Sequence, residues 1–203
     1  IGWCDWSSDV CSSDLSGDKE ILKLNLGKLD EQSAGAGERT EDLLGGIAVH
    51  DGMVVAAMKL NNKLLFIDSA AGKVIREVPV DHPSGIAFDP QGRLLVLSGT
   101  KLLRYDGEKP STLVSSGLEE PMGITTDEHG AILISDWGNS HQVKIFTPDG
   151  KFVRAIGNAG KPAAGKYDPL HMNKPQGIAV DGDGRLWVTE HDYMPKRVSV
   201  WSP

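Results

Sequence analysis

The chain has 203 residues, 39% of them hydrophobic, and a formal net charge of −7. That length allows one domain with a packed core. The acidic balance argues against a nucleic-acid surface, which needs clustered Lys and Arg, and no stretch reaches the ~20 apolar residues of a membrane-spanning helix.

Residues 5–15 read DWSSDVCSSDL. The string resembles one reading frame of a common sequencing-adapter oligonucleotide at all eleven positions, so residues 1–15 are expected to be adapter-derived and are set aside from fold reasoning. Cys4 and Cys11 both fall there, so their spacing signals neither a disulfide nor a metal site. Three aspartates in the same stretch account for three of the seven net negative charges. On this basis the natural N-terminus, and any export signal it carried, is expected to be missing.

Residues 16–44 are expected to hold the remnant of a blade followed by a linker. EILKLNL at 20–26 has the alternation of a late strand, and 30–42 (DEQSAGAGERTED) is polar throughout.

From residue 45 the sequence repeats. Four copies start Gly46-Ile47-Ala48-Val49, Gly85-Ile86-Ala87-Phe88, Gly123-Ile124-Thr125-Thr126 and Gly177-Ile178-Ala179-Val180, at steps of 39, 38 and 54 residues. One loop insertion of about 16 residues, between the third and fourth copies, accounts for the long step. Within a copy, a first strand leads to an Asp/Gly turn such as Asp127-Glu128-His129-Gly130. Such turns need the positive φ of Gly and the side-chain acceptor of Asp. Second strands are predicted over 53–57, 93–97, 131–135 and 185–189, with apolar pairs Val54/Ala56, Leu94/Val96, Ile132/Ile134 and Leu186/Val188 on one face. Third strands follow over 63–67, 101–105, 143–146 and 197–201, and a weaker fourth over 151–156. Four short strands per ~40 residues without helices predict an all-β, partial β-propeller of four-stranded antiparallel blades over 45–203, three complete and the fourth truncated. Each blade buries its face on the next, so an arc of this kind leaves two faces unsealed and prone to association.

The third copy, PMGITTDEHGAILISDWGNSHQVKIFTPDGKFVRAIG, resembles the NHL repeat family through Pro-x-Gly-Ile, the Asp-x-x-Gly turn, Ser-Asp-x-Gly-Asn and Val-x-Ile-Phe-x-Pro-Asp-Gly. The fourth matches over 174–203, and the first two match in their strands and Gly-Ile starts. Departures lie in the loops joining strands two and three: Ser98-Gly99-Thr100 is short, Met58-Lys59-Leu60-Asn61-Asn62 has no acid, and residues 190–196 are longer and more polar than the family pattern.

The resemblance implies a ligand rim built from those loops and the loops entering strand one. Candidate rim residues are Asp136, Trp137, Asn139, His141, His171, Glu190, His191 and Tyr193, drawn from two adjacent blades. Carboxylates beside imidazoles suit a divalent metal or acid–base chemistry. Each also has a plainer role, Asp136 and Asn139 as caps of loop backbone above all. No nucleophile elbow, phosphate loop or His-Glu-x-x-His pair occurs. Asp181-Gly182-Asp183-Gly184 fails as a calcium loop, because Arg185 and Asp192 occupy ligand positions five and twelve.

The expectation is a binding or scaffold domain of a larger, exported bacterial protein, secreted or periplasmic, with no catalytic residue and no cofactor. Its partners would be a protein, peptide or carbohydrate ligand and further blades of the same chain. The alternative is a metal-dependent enzyme similar to gluconolactonase/regucalcin lactonases or to streptogramin and peptidyl-hydroxyglycine lyases. On that alternative Asp136, His171, Glu190 and His191 would be partial ligands to calcium or zinc.

Overall fold

A computed structural model of the chain describes residues 44–162, 168–191 and 197–202. The adapter-like stretch, the strand expected at 20–26 and Tyr193 lie outside the described residues. The first blade comprises β1 (Leu44–His50), β2 (Met53–Met58), β3 (Lys63–Asp68) and β4 (Lys73–Pro79). The second comprises β5 (Pro83–Phe88), β6 (Leu94–Ser98), β7 (Lys101–Asp106) and β8 (Lys109–Val114). The third comprises β9 (Pro121–Thr126), β10 (Ile132–Asp136), β11 (Gln142–Phe146) and β12 (Phe152–Ile156). In the fourth, β13 (Pro175–Val180), β14 (Leu186–Glu190) and β15 (Arg197–Trp201) form a three-stranded sheet among the described residues. Every sheet is an antiparallel meander in chain order, and the sheets follow one another in a propeller arrangement.

The Asp turns form as their chemistry requires. Oδ1 of Asp89 accepts the N–H groups of Gln91 and Arg93, that of Asp127 accepts His129 and Ala131, and that of Asp181 accepts Asp183 and Arg185. Gly92, Gly130 and Gly184 follow with φ of 75°, 83° and 78°, the left-handed region open to glycine. Asp181 also accepts the Trp187 indole N–H at 2.8 Å. That bond first, and those from the Arg185 and Asp183 backbones, hold its carboxyl down to about 2.

The core lies between blades. Leu95, Leu97 and Leu102 on the leading face of the second blade meet Ile124, Ile132, Ile134 and Phe146 on the trailing face of the third. The first and second blades meet through Val55, Ala57, Leu64 and Phe66 against Ile86, Leu94 and Val96. The third and fourth meet through Leu133 and Val143 against Leu186 and Val188, with Met172 of the insertion fully buried beside them. The second strands β2, β6 and β10 are therefore covered on both faces, where sequence alternation showed only the trailing one. The leading face of the fourth blade is different. Trp187, Val198 and Val200 stand at the register positions of Leu133, Val143 and Ile145, yet are 42%, 60% and 47% exposed.

Inner strands touch at the repeated glycine. A Cβ placed on Gly85 would lie 2.6 Å from the Met122 carbonyl oxygen, and one on Gly123 would lie 2.3 Å from that of Gln176. Gly46 meets the Ser84 oxygen at 2.9 Å. In each case the oxygen belongs to the residue just before the next blade's glycine. The hydroxyl of Ser135 reinforces this approach, accepting the Gly123 N–H at 2.8 Å and donating to the Gln176 carbonyl at 2.7 Å. Thr189 repeats the first of these bonds, to Gly177 N–H at 2.9 Å. The four inner strands line an axial cavity of about 450 Å³.

A methyl group at Gly123 must push backbone apart, whereas at Gly177 it meets only the Thr189 side chain. Gly123→Ala is expected to destabilise by about 2 kcal/mol or more through overpacking, and Gly177→Ala by less than about 1 kcal/mol. Urea unfolding of the two variants beside the parent chain measures the difference.

Candidate functional site

The rim is built from the loops joining strands two and three and those entering strand one. A backbone bond recurs in the second, third and fourth blades: the N–H groups of Gly99, Trp137 and His191 donate to the carbonyls of His82, Glu120 and Lys174, each the residue before the proline that opens strand one. Two loops also clasp the next blade. Asn62 Oδ1 accepts the His82 N–H at 2.8 Å, and His141 Nδ1 accepts the Lys174 N–H at 2.9 Å. All four residues of these clasps have left-handed φ, between 43° and 51°. His141 is thus placed as the counterpart of Asn62, in a link between blades.

The two rim carboxylates occupy equivalent positions, at the ends of β10 and β14. Asp136 is fully buried and accepts the N–H groups of Glu119 (2.9 Å) and Glu120 (2.6 Å) and the Lys144 ammonium (2.7 Å). Lys144 also donates to the Gly117 carbonyl at 2.7 Å. The Glu190 carboxyl, equally enclosed, accepts the Asn173 N–H at 2.7 Å and bonds the Arg197 guanidinium and the Ser199 hydroxyl. Asn173 and Glu119 both lie two residues ahead of the proline that opens strand one. Each carboxylate therefore ties an entering loop to the third strand of its own blade, neutralised by a cation from that strand. The second blade does this with opposite polarity, Ser98 donating to the Asp81 carbonyl at 2.6 Å. Loss of one charge from such a pair leaves the other buried without a counterion.

His171 sits in the insertion, its Nδ1 2.7 Å from Asp168 Oδ2. The Leu170 N–H first, and then His171, hold the Asp168 carboxyl below its ordinary value. The His171 carbonyl accepts from Arg197, so the insertion is fastened to the third strand of the fourth blade. Asn139 is exposed, its N–H bonded to the Glu119 carboxylate.

Trp137 and His191 do meet. Their rings lie 5.3 Å apart at 31°, and the Lys174 ammonium lies 5.4 Å from the centre of the Trp137 ring. The Trp137 indole N–H and the Ser140 hydroxyl are buried without a hydrogen-bond partner among the described residues. An open groove of about 510 Å³ runs past His191 and Thr189 along the fourth blade. The structure thus joins Trp137 to His191, and sends Asp136, Glu190, His141 and His171 each to a different partner. Among the described residues no three His, Cys, Asp or Glu side chains converge as a metal group.

Sequence reasoning did not find Lys174, Lys144 or the pairing role of Arg197. One signal was available for Lys174, which precedes Pro175 as His82 precedes Pro83 and Glu120 precedes Pro121.

No protein-family model matches the sequence, and no curated protein matches it significantly. Solved structures do share its fold. Kuenenia stuttgartiensis hydrazine synthase aligns at TM-score 0.61 and 17% identity, over 86% of this chain and 49% of that one. Virginiamycin B lyase from Staphylococcus aureus aligns at 0.58 and 20%, over 81% of this chain and 57% of the lyase. A chain of a nidogen/laminin complex aligns at 0.61 and 20%, over 83% and 65%. The chain thus spans between about half and two thirds of these structures. At such identities the likeness is one of fold: an all-β propeller found in both binding proteins and enzymes.

Removing the cation of the third-blade pair tests its weight. Lys144→Met is expected to cost about 3 kcal/mol or more. Adding Asp136→Asn should cost less than the sum of the two single changes, with a coupling of at least about 1 kcal/mol. A double-mutant cycle by urea unfolding reads this directly.

Proposed function

We propose that this chain is the repeat array of an NHL-type propeller that works as a binding or scaffold module, carrying its ligand on the rim of the third and fourth blades. It belongs to a larger bacterial protein that is exported, and its ligand is a protein, a peptide or a carbohydrate. The observation that carries this proposal is the disposition of the two rim carboxylates. Both Asp136 and Glu190 are buried, each bonded to loop backbone and neutralised by a cation of its own blade. Carboxylates so engaged hold loops in place, as a scaffold needs, and have to break those bonds before they can ligate a metal or move a proton. The likeness to the nidogen/laminin structure agrees with a binding role. The exposed apolar face at Trp187, Val198 and Val200 agrees with further blades in the parent protein, because the corresponding positions in the third blade are covered by the fourth.

A second reading, a metal-dependent propeller enzyme of the lactonase or lyase type, draws on the likeness to virginiamycin B lyase and to a streptogramin B lyase structure at 18% identity. It would call on Asp136, His171, Glu190 and His191 to hold calcium or zinc. Four partners already engage the first three of these: Lys144, Arg197, Asp168 and the loop backbone.

The two readings part on metal content. After dialysis without chelator, elemental analysis of the purified protein should find calcium and zinc well below one equivalent per chain. Stoichiometric, tightly held calcium or zinc would overturn the scaffold proposal in favour of the enzyme.

A further inference from the structure

The loop that follows β10 holds two buried polar side-chain atoms that its own hydrogen bonds do not reach. The Trp137 indole N–H and the Ser140 hydroxyl, three residues apart, are both buried and without a partner among the described residues. A buried donor without an acceptor is uncommon enough in folded proteins to need a cause, and an ion or ligand that supplies oxygen is one. Over the same indole stands Lys174, whose ammonium makes no ion pair with any described carboxylate; its contact is the ring face of Trp137, at 5.4 Å. Aromatic contact of this kind keeps a cation partly desolvated, which strengthens its attraction for an anion.

Four of the described acids have partners of their own. Asp136 is neutralised by Lys144, Glu190 by Arg197, and Asp168 faces His171. Glu119 bonds the Asn139 N–H and packs against Gly138. Lys174 is also held in place rather than free to wander. Its backbone has a left-handed φ of 51°, fixed by a bond from its N–H to His141 and one to its carbonyl from His191. Left-handed backbone at a residue other than glycine persists only where the surroundings enforce it. His191 is exposed and lays its ring against that of Trp137 at a tilt of 31°.

From this geometry we propose that Trp137, Lys174 and His191 form a binding site for a small carboxylate-bearing ligand. Lys174 pairs with the carboxylate, and His191 presents a ring face to the rest of the ligand. The inference rests on the rim-binding reading above and gives that rim a ligand class. It uses neither Asp136 nor Glu190, and so asks nothing of the structural pairs.

Nuclear magnetic resonance titration of the chelator-treated full chain tests it, reading the Trp137 indole N–H resonance assigned by its loss in Trp137→Phe. Glucuronate and acetate are added in separate arms, with glucose as the uncharged control. Saturable shifts at millimolar glucuronate are expected, with none from glucose. Lys174→Met should weaken binding at least tenfold, Lys174→Arg should retain it, and Lys151→Met, an exposed cation elsewhere on the blade, should leave it unchanged. A response to acetate as well shows that the carboxylate suffices, and a response to glucuronate alone shows that the ring contact is needed too; either supports the site. The inference is overturned if no carboxylate gives a saturable shift, if glucose matches glucuronate, or if Lys174→Met binds like the parent. Because the sample is free of metal, failure here leaves the scaffold reading standing, whereas stoichiometric metal in the untreated protein would remove that reading whatever the titration shows.

Discussion

Where one blade meets the next, the innermost strands come so close that backbone touches backbone. At Gly85 and Gly123 no side chain fits, because the carbonyl of the residue ahead of the next glycine occupies the space a Cβ would take. This steric constraint sets the distance between blades, and the apolar layers on either side follow from it. Leu95 and Leu97 reach Ile132 and Ile134, and Leu133 reaches Leu186 and Val188, because the inner strands hold the sheets at that spacing. Ser135 then fixes the register by bonding both its own glycine and the carbonyl across the gap.

At the rim the same problem recurs with polar groups. Loops entering a blade carry backbone N–H groups that turn inward, and each must find an acceptor once buried. Asp136 and Glu190 supply it in the third and fourth blades, and their own charge is balanced by Lys144 and Arg197 from the adjacent strand. The side chains that look most chemical in this protein are therefore those its architecture depends on. What is left over at the rim is smaller: an indole with an imidazole and an ammonium set against it.

The fold was legible because its causes are local and repeated. Gly-Ile starts mark the close approach, Asp-x-x-Gly marks a turn whose side-chain bonds lie within four residues, and the apolar alternation marks a covered face. The rim partners were less legible because they depend on register. Lys144 lies eight residues from Asp136 and Arg197 lies seven from Glu190, and only the pairing of second and third strands brings them together. His141, a candidate rim residue in the sequence, is placed by its correspondence with Asn62 in an inter-blade clasp. Lys174 was hidden by its setting, between an insertion and a proline, where charge alone says nothing of the ring beneath it.

If stability passes from blade to blade through the inner strands, it must be graded along the chain. Amide hydrogen exchange, resolved by residue, measures that grading most directly. The second and third blades are covered on both faces, so the amides of β6 and β10 should exchange slowest, while those of β14 and β15, beside the exposed Trp187, Val198 and Val200, should exchange markedly faster. Uniform protection across the four sheets, or slowest exchange in β14 and β15, would contradict the account.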